Sequence, residues 1–400
     1  MEKRKVIEIL KGKVIRRITF SLLSSVIFLT GCWSSREVED LAIITLIGLD
    51  RVTEGGVDKW QVSSKIFKPL AQKKDEVAKG TTEILVKGTG MTIQEADLEY
   101  LKRMPRFPFF GHMSSFVIGE EAAKESVEEV MSIHLAHVQD RPRSFLLVTK
   151  GEALDILGAE PELASTISKE ITGIVEDKAR KFGTAMGVTS VQFIECLLSQ
   201  DRDAYLPQIN LVYPDKEESE MKSIEIEGFG VFRGPKLVGW LSKEQATGFL
   251  FLCQKEITGA SIIIPVQDGE THFTYTINIS KTDVKPEMEE GKLSFTVNVQ
   301  LKGTIWETGG IELTEENIKK EEEIINETIE KICMSTIKKA KELDSEFLGF
   351  MQKLHQVNPD AWQEVKEEWR ETFQEAKIEV IVKSKVLNTG RMSKRLEIKE

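Results

Sequence analysis

The chain has 400 residues, 40% hydrophobic and 30% charged, with a formal net charge of −11. That length suits a large core and, at about 150 residues per domain, two or three domains. Residues 1–31 hold seven Lys/Arg against two Glu, so the chain from Cys32 onward carries −16. Such a body lacks the clustered cations that nucleic-acid binding needs, and an anionic leaflet repels it, so membrane attachment falls to lipid or to a protein partner.

Lys3, Arg4, Lys5, Lys11, Lys13, Arg16 and Arg17 form a basic leader, and Ile18 to Thr30 is an uncharged, mostly apolar run. Together they read as an export signal. A helix over that run covers about 20 Å, short of the roughly 30 Å hydrocarbon core, so a permanent spanning helix is the weaker reading. The run stops at Leu29-Thr-Gly-Cys32. Small residues before a cysteine are similar to the bacterial lipobox, in which the thiol receives diacylglycerol and the peptide is cut before the cysteine. Residues 1–31 are then the signal peptide and Cys32 the lipidation site. An ordinary cleavage with a chance cysteine nearby is the alternative. Two acyl chains anchor stably where one gives only marginal binding.

Leu41 to Val52 and Lys59 to Lys68 read as strands of a hairpin around Thr53-Glu-Gly-Gly56. Ala71 to Gly80 reads as a loop and Thr81 to Lys87 as a strand broken by Gly88-Thr-Gly90. Thr92-Ile-Gln-Glu95 is a capping box opening a helix to about Arg103, with Ile93, Ala96, Tyr100 and Met104 on one face. An aromatic, proline-bearing loop from Arg103 to Met113 feeds the strand Ser115 to Ile118. Glu120 to Ala136 reads as a helix, Ser144 to Thr149 as a strand and Glu152 to Leu157 as a short helix stopped by Gly158. Helices follow over Leu163 to Phe182 and Val188 to Leu198, the latter opened by a capping box at Thr189. This alternation predicts mixed α/β packing over 32–213, which holds one or two units.

Tyr213 to Glu220 is charged, contains proline and marks the domain boundary. The pattern then predicts a hairpin of Ile224 to Phe232 with Leu237 to Leu241, and a helix from Ser242-Lys-Glu-Gln245 to Gln254. Strands follow at Ala260 to Val266, Thr271 to Asp283 and Lys292 to Ile305, with Lys285 to Gly291 as a connection. The last two alternate cleanly and should pair antiparallel, each burying one face. Thr314 to Leu343 is the longest helix, striped by Ile318, Ile325, Ile329 and Ile332, with Glu315/Lys319, Glu316/Lys320 and Glu327/Lys331 as i,i+4 pairs. The stripe suits a helix lying across the sheet, with a coiled coil as the alternative. Helices over Glu346 to Gln356 and Asp360 to Phe373 and a strand from Lys377 to Leu387 close the domain 222–390, ahead of a charged tail, 391–400. The fold class is therefore α+β, mixed and multi-domain, with an N-terminal α/β half and a C-terminal antiparallel sheet packed by a long helix.

No nucleophile elbow, zinc-protease, P-loop or dinucleotide motif is present, and no cofactor is implied. His134 and His137 share a helical face and, with Asp140, are the best metal candidates, although histidines at a helix C-terminus also suit the dipole. Arg141 and Arg143 could hold an anion or form surface ion pairs. Cys196, Cys253 and Cys333 sit among apolar neighbours and read as buried free thiols. Trp362 and Trp369, two turns apart, form either core or a partner-binding ridge.

Several pieces taken in order carry a resemblance. They are Cys32-Trp33 with Arg36-Glu37, Gly48 and Asp50, Gly111-His112, Val117-Ile-Gly-Glu120, Gly230 with Phe232, Leu237-Val-Gly239, and Trp362 with Trp369 ahead of a strand ending near Gly390. The chain resembles the Ger(x)C lipoproteins, the C subunits of spore germinant receptors of endospore-forming bacteria. Where that family often has Tyr-Phe-Gly-His, this chain has Phe109-Phe-Gly-His112. The resemblance implies a non-enzymatic subunit of three mixed α/β domains, anchored through Cys32 to the outer face of the spore inner membrane. Its partners would be an A subunit with large soluble domains and a transporter-like B subunit, together sensing small nutrients. Whether this subunit binds a nutrient stays open. Trp33, Arg36, Glu37, Gly48 and Asp50 match a motif read as structural: Gly48 as a bulge or close backbone approach, Asp50 as the end of the strand. Arg36 and Glu37 could instead touch a partner. A solute-binding lipoprotein of a transporter is the alternative function.

Overall fold

The structure is a computed structural model that describes residues 15–17, 37–67, 83–136, 143–213, 222–269, 271–306 and 314–388. The apolar run of the leader, Cys32, Trp33, Arg36, the 71–80 loop, His137, Asp140, Arg141, the charged segment 214–220 and the tail 391–400 lie outside them.

The larger sheet holds β1 (Leu41–Glu54), β2 (Val57–Phe67), β3 (Glu83–Gly90), β4 (Phe107–Phe109), β5 (Ser115–Ile118), β6 (Phe145–Val148), β7 (Val188–Thr189), β8 (Tyr205–Val212), β9 (Ser223–Arg233) and β10 (Lys236–Leu241). Their order is β10-β9-β8-β6-β5-β1-β2-β3, with β4 on β1 and β7 on β6. β5 runs parallel to β1 and β6 to β5, while the β1–β2 and β9–β10 hairpins are antiparallel. The first hairpin turns at Gly55 and Gly56, whose φ of +61° and +78° are what a two-residue turn between right-twisted strands requires. β9 and β10 follow the boundary read at 213–220, yet they complete this sheet through β8. The second sheet has the order β11-β12-β13-β14: β11 (Glu256–Asp268), β12 (Thr271–Glu289), β13 (Lys292–Trp306) and β14 (Lys377–Asn388).

Several elements differ from the sequence reading, each for a local reason. Gly88 and Gly90 do not break β3; they let the helix Ile93–Leu101 lie directly on it. A Cβ on Gly88 would stand 2.3 Å from the Ala96 carbonyl oxygen, and one on Gly90 2.5 Å from the Ala96 nitrogen. That helix is capped by the Thr92 hydroxyl, but Glu95 accepts from the Met91 amide, not from Thr92. The 120–136 helix is two, Glu120–Glu125 and Glu128–Ala136. Ser126 turns extended and accepts from the Glu128 amide, and the Val127 amide donates across to the Pro235 carbonyl. The 163–182 helix starts only at Ile167, after the Thr166 cap, and passes through a π turn at Ile174–Lys178. β8 was missed: Pro207 argues against a strand, and the register does shift between Pro207 and Ile209.

In the second sheet β12 runs through Pro286 to Glu289, and the turn is only Glu290-Gly291, both at positive φ. β11, β12 and β13 are antiparallel, as alternation suggests, but β14 returns parallel to β13 after the intervening helices. Phe273, Tyr275, Ile277, Phe295, Val297 and Val299 point inward. They share one core with Ile325, Ile329, Cys333 and Ile337 of the long helix Glu315–Glu342, which lies across the sheet, so the coiled-coil alternative falls away. Glu327 and Lys331 pair at 3.8 Å, whereas Lys320 reaches Asp268 of β11 at 2.5 Å. The helix read from Glu346 begins at Phe350, because Gly349 sits at φ +82°.

Gly88→Ala should force the Ile93–Leu101 helix off β3. We expect a loss of about 1–3 kcal/mol, seen as a lower urea midpoint at unchanged slope.

Candidate functional site

The Gly48-x-Asp50 motif sits at the middle of the larger sheet. Asp50 does not end its strand, which runs on to Glu54; it is 2% exposed and points at the start of the helix Ala153–Leu157. Its Oδ1 accepts from the Ala153 amide at 2.6 Å and its Oδ2 from the Leu154 amide at 3.0 Å. That helix has no capping side chain of its own, since Glu152 makes no cap bond, so a strand residue supplies the cap. Burial pushes the Asp50 carboxyl up to about 6, against the pull of the two amides. Gly48 is a close approach: a Cβ there would meet Ser63 Oγ at 2.6 Å and Leu157 Cδ1 at 3.0 Å. Gly119 completes the clasp, because a Cβ would fall 2.0 Å from Asp50 Oδ1. Next to it, Glu120 accepts from Trp240 Nε1 at 3.3 Å and pairs with Lys124 at 3.1 Å, bringing β10 into the same junction.

The other glycines of the resemblance are also contact points. A Cβ on Gly230 would meet Val148 Cγ1 at 2.7 Å, and one on Gly239 would meet Leu343 Cδ2 at 2.5 Å. Gly111 lies against the Phe109 ring, with Phe109 Cζ 2.6 Å from where its Cβ would be; His112 is exposed, its ring 5.7 Å edge-on from that of Phe109. Glu37 is exposed.

Trp362 and Trp369 are 2% and 7% exposed and separated by a 3-10 turn at Lys366–Glu368. They are core residues, and each carries a polar neighbour. His355 stacks on Trp362 with ring centroids 5.0 Å apart and places Nδ1 2.7 Å from Asp201 Oδ2. The Arg370 guanidinium lies 4.2 Å over Trp369 and donates to Asp203 Oδ1 at 2.6 Å. Asp203, 2% exposed, also accepts from the Gly234 amide at 3.2 Å and the Glu346 amide at 3.0 Å, and its own amide donates to the Glu346 carbonyl. Glu346 is 1% exposed and accepts from the Phe350 amide at 3.0 Å; burial pushes its carboxyl up to about 8, with Asp203 adding to the rise. Sequence reasoning passed over Asp201-Arg-Asp203 and Glu346. The available signal was three consecutive charges directly ahead of an apolar stretch.

Among the described residues no group of three or more His, Cys, Asp or Glu could hold a metal ion. His134 belongs to the helix Glu128–Ala136, while its companions His137 and Asp140 are not described. Arg143 is exposed. Cys196 and Cys253 are half-buried, Cys333 is buried, and all three are free; burial pushes Cys253 and Cys333 up to about 12, which leaves unreactive thiols. A cleft of about 230 Å³ lies beside Lys255, Asp283, Gln352 and Lys353. No helix of the described residues is long and apolar enough to cross a membrane.

Residues 34–211 match the spore germination protein N-terminal domain, and residues 227–390 match the family described as spore germination B3/GerAC like, C-terminal. The chain is a member of the Ger(x)C family. Putative spore germination protein YfkR of Bacillus subtilis (strain 168) is 25% identical over 89% of this chain and 92% of its own. Spore germination proteins KC and B3 of the same organism are 23% and 25% identical, each over 92% of this chain. The crystal structure of the GerBC protein superposes with a TM-score of 0.55 at 19% identity, covering 86% of this chain and 97% of that one, and so shares the fold. The glycines and buried acids described above thus fall, in this chain, at junctions between elements.

Two outcomes follow for the Asp203 junction. Arg370→Met leaves the Asp203 carboxylate buried without its cation. Because Arg370 is 31% exposed, the expected loss lies toward the lower end of roughly 3–5 kcal/mol, and Asp203→Asn in the same chain should recover part of it in urea titrations. Glu346, raised from 4.5 to about 8 in the folded chain, binds its proton more tightly there than in the unfolded chain. Its contribution to stability is full below pH 4.5 and declines as pH rises to 8. Glu346→Gln retains the acceptor for Phe350 and should flatten that decline in urea midpoints taken from about pH 5 to about pH 9.

Proposed function

We propose that this chain is the lipid-anchored, non-enzymatic C subunit of a nutrient germinant receptor, held on the extracytoplasmic face of the spore inner membrane through diacylglycerol on Cys32. It would act there with the membrane A and B subunits in triggering germination. The observation that carries the reading is the match of both family domains, over 34–211 and 227–390, directly behind a basic leader, an apolar run and Leu29-Thr-Gly-Cys32. We take 1–31 as the signal peptide, 32–213 and 222–390 as the two regions of the body and 391–400 as the tail. The buried carboxylates Asp50 and Asp203 suit a binding and assembly role, since they are spent on backbone amides and on Arg370. A solute-binding lipoprotein calls for two doubly wound lobes around a cleft, which a ten-stranded mixed sheet beside a four-stranded one does not resemble.

Cys32→Ala in the native host tests this. The variant should leave the membrane fraction and weaken the nutrient response at matched protein level. A variant that stays membrane-bound and fully responsive would remove the anchor from the proposal.

A further inference from the structure

In the second sheet β12 outruns its neighbour. β11 begins at Glu256 opposite Lys281, so β12 continues to Glu289 with β13 on one side and no strand on the other. The Thr282 amide donates to the Lys255 carbonyl at 3.0 Å, which puts the main-chain groups of Thr282 on the β11 side. Residues two apart in a strand present these groups to the same side. Val284, Pro286 and Met288 therefore turn theirs to the open edge, and Pro286, which has no amide hydrogen, loses no bond to β13. Among the described residues nothing bonds to the Val284 or Met288 main chain on that side.

An open edge is a template for another strand, and here a helix walls its second side. The helix Phe350–Val357 starts under the edge, with the Phe350 ring 5.3 Å from that of Phe295, the residue opposite Pro286. The cleft of about 230 Å³ is the gap between Val284 and this helix. Leu252, Leu348 and Phe350 are its apolar walls, and Lys255 and Lys353 are its cations. Neither lysine is ion-paired among the described residues. Asp283 is the acid of the lining; it belongs to the outer face of the sheet, since Thr282 and Val284 on either side of it are turned toward the core. Two acids lie close by, and both are engaged. Glu256 pairs with Lys281 at 3.1 Å, and buried Glu346 accepts from the Phe350 amide.

Direction follows from the ladder. A strand added in line with β11 runs antiparallel to β12 and brings its C-terminal end to Lys255, where the main chain of this protein already occupies the edge. A continuing chain is blocked there, whereas a chain end is met by two cations. We infer that this edge takes the extended C-terminal peptide of a partner protein, added to β12 as an antiparallel strand, with its terminal carboxylate held by Lys255 and Lys353. The alternation of β12 sets its composition. Peptide residues opposite Val284, Pro286 and Met288 face the apolar walls and are apolar; the residue opposite Lys285 is acidic and the one opposite Glu287 basic. Main-chain bonds supply affinity and the alternate side chains specificity. Pro286 withholds one donor, which weakens pairing with any strand that lacks the carboxylate. The inference adds a partner contact and is independent of the lipid anchor.

The test uses the full chain, purified from host membranes in detergent, and fluorescein-labelled Gly-Val-Lys-Val-Glu-Val with a free carboxylate, followed by anisotropy. We expect saturable binding, weakened about tenfold or more by amidation of the peptide C-terminus and by Lys353→Glu. Exchanging the Lys and Glu of the peptide should weaken it about two- to fivefold. Val284→Pro removes an edge amide and no bond to β13, and should cost at least as much as amidation, with circular dichroism reporting the fold of each variant. Should Val284→Pro not fold, the free and amidated peptides on the unaltered chain still decide. No binding, or equal binding of those two peptides, overturns the inference. Binding that appears only once residues 391–400 are removed assigns the edge to the chain's own tail and overturns it as well.

Discussion

A carboxylate buried as deeply as that of Asp203 has to be satisfied, and the way it is satisfied ties together stretches of chain far apart in sequence. Its partners come from the β9–β10 turn at Gly234, from Glu346 in the segment after the long helix and from Arg370 near the C-terminus. None of these can move without leaving a charge or an amide uncompensated in a medium of low polarity. The two tryptophans matter because of this. Trp369 supports the guanidinium that reaches Asp203, and Trp362 supports the imidazole that reaches Asp201. Large aromatic burial and ionic satisfaction therefore constrain the same few turns of helix.

Asp50 solves the same problem nearer the N-terminus in another way. A helix of five residues, Ala153–Leu157, has little hydrogen bonding of its own and exposes its first amides to whatever lies ahead. The sheet puts a carboxylate there, and it does so by keeping Cβ atoms away at Gly48 and Gly119. The cost of burying that charge appears in the raised titration of Asp50, so the arrangement gives up some stability for a fixed position of strand against helix. Gly88 and Gly90 let backbone meet backbone on the opposite face, with the Glu99 carboxylate accepting from the Thr89 amide between them.

What could be read beforehand follows the reach of each interaction. Hairpins closed by Gly55-Gly56, caps at Thr92, Thr189 and Ser242, and the alternating strands β12 and β13 depend on residues a few positions apart, and they were legible. The break at Ser126 depends on Pro235, the persistence of β3 on a helix packed against Gly88, and the strand β8 on neighbours that accept a bulge at Pro207. Those causes are more distant than any local pattern. Of the motif residues, Gly48 declared its close approach, but Asp50 was mistaken for a strand end because its partners, Ala153 and Leu154, are about a hundred positions away. Asp203 and Glu346 gave almost no warning for the same reason.

The distribution of these groups bears on how a receptor subunit of this kind would fail or be altered. Its buried acids and aromatics are engaged in holding elements together, so changes there act first on the amount of folded protein, and any effect on germination would scale with abundance. Exposed side chains such as Leu163 and Leu198 contribute little to the core and can be changed with the fold intact. If orientation at the membrane or contact with a partner is what such a subunit provides, its function should be separable from its stability at those exposed positions and inseparable from it at Asp50, Asp203 and Arg370. Asp50 shows why: its buried carboxylate accepts from the Ala153 and Leu154 amides, so a change there unfastens a helix from the sheet before it touches any surface.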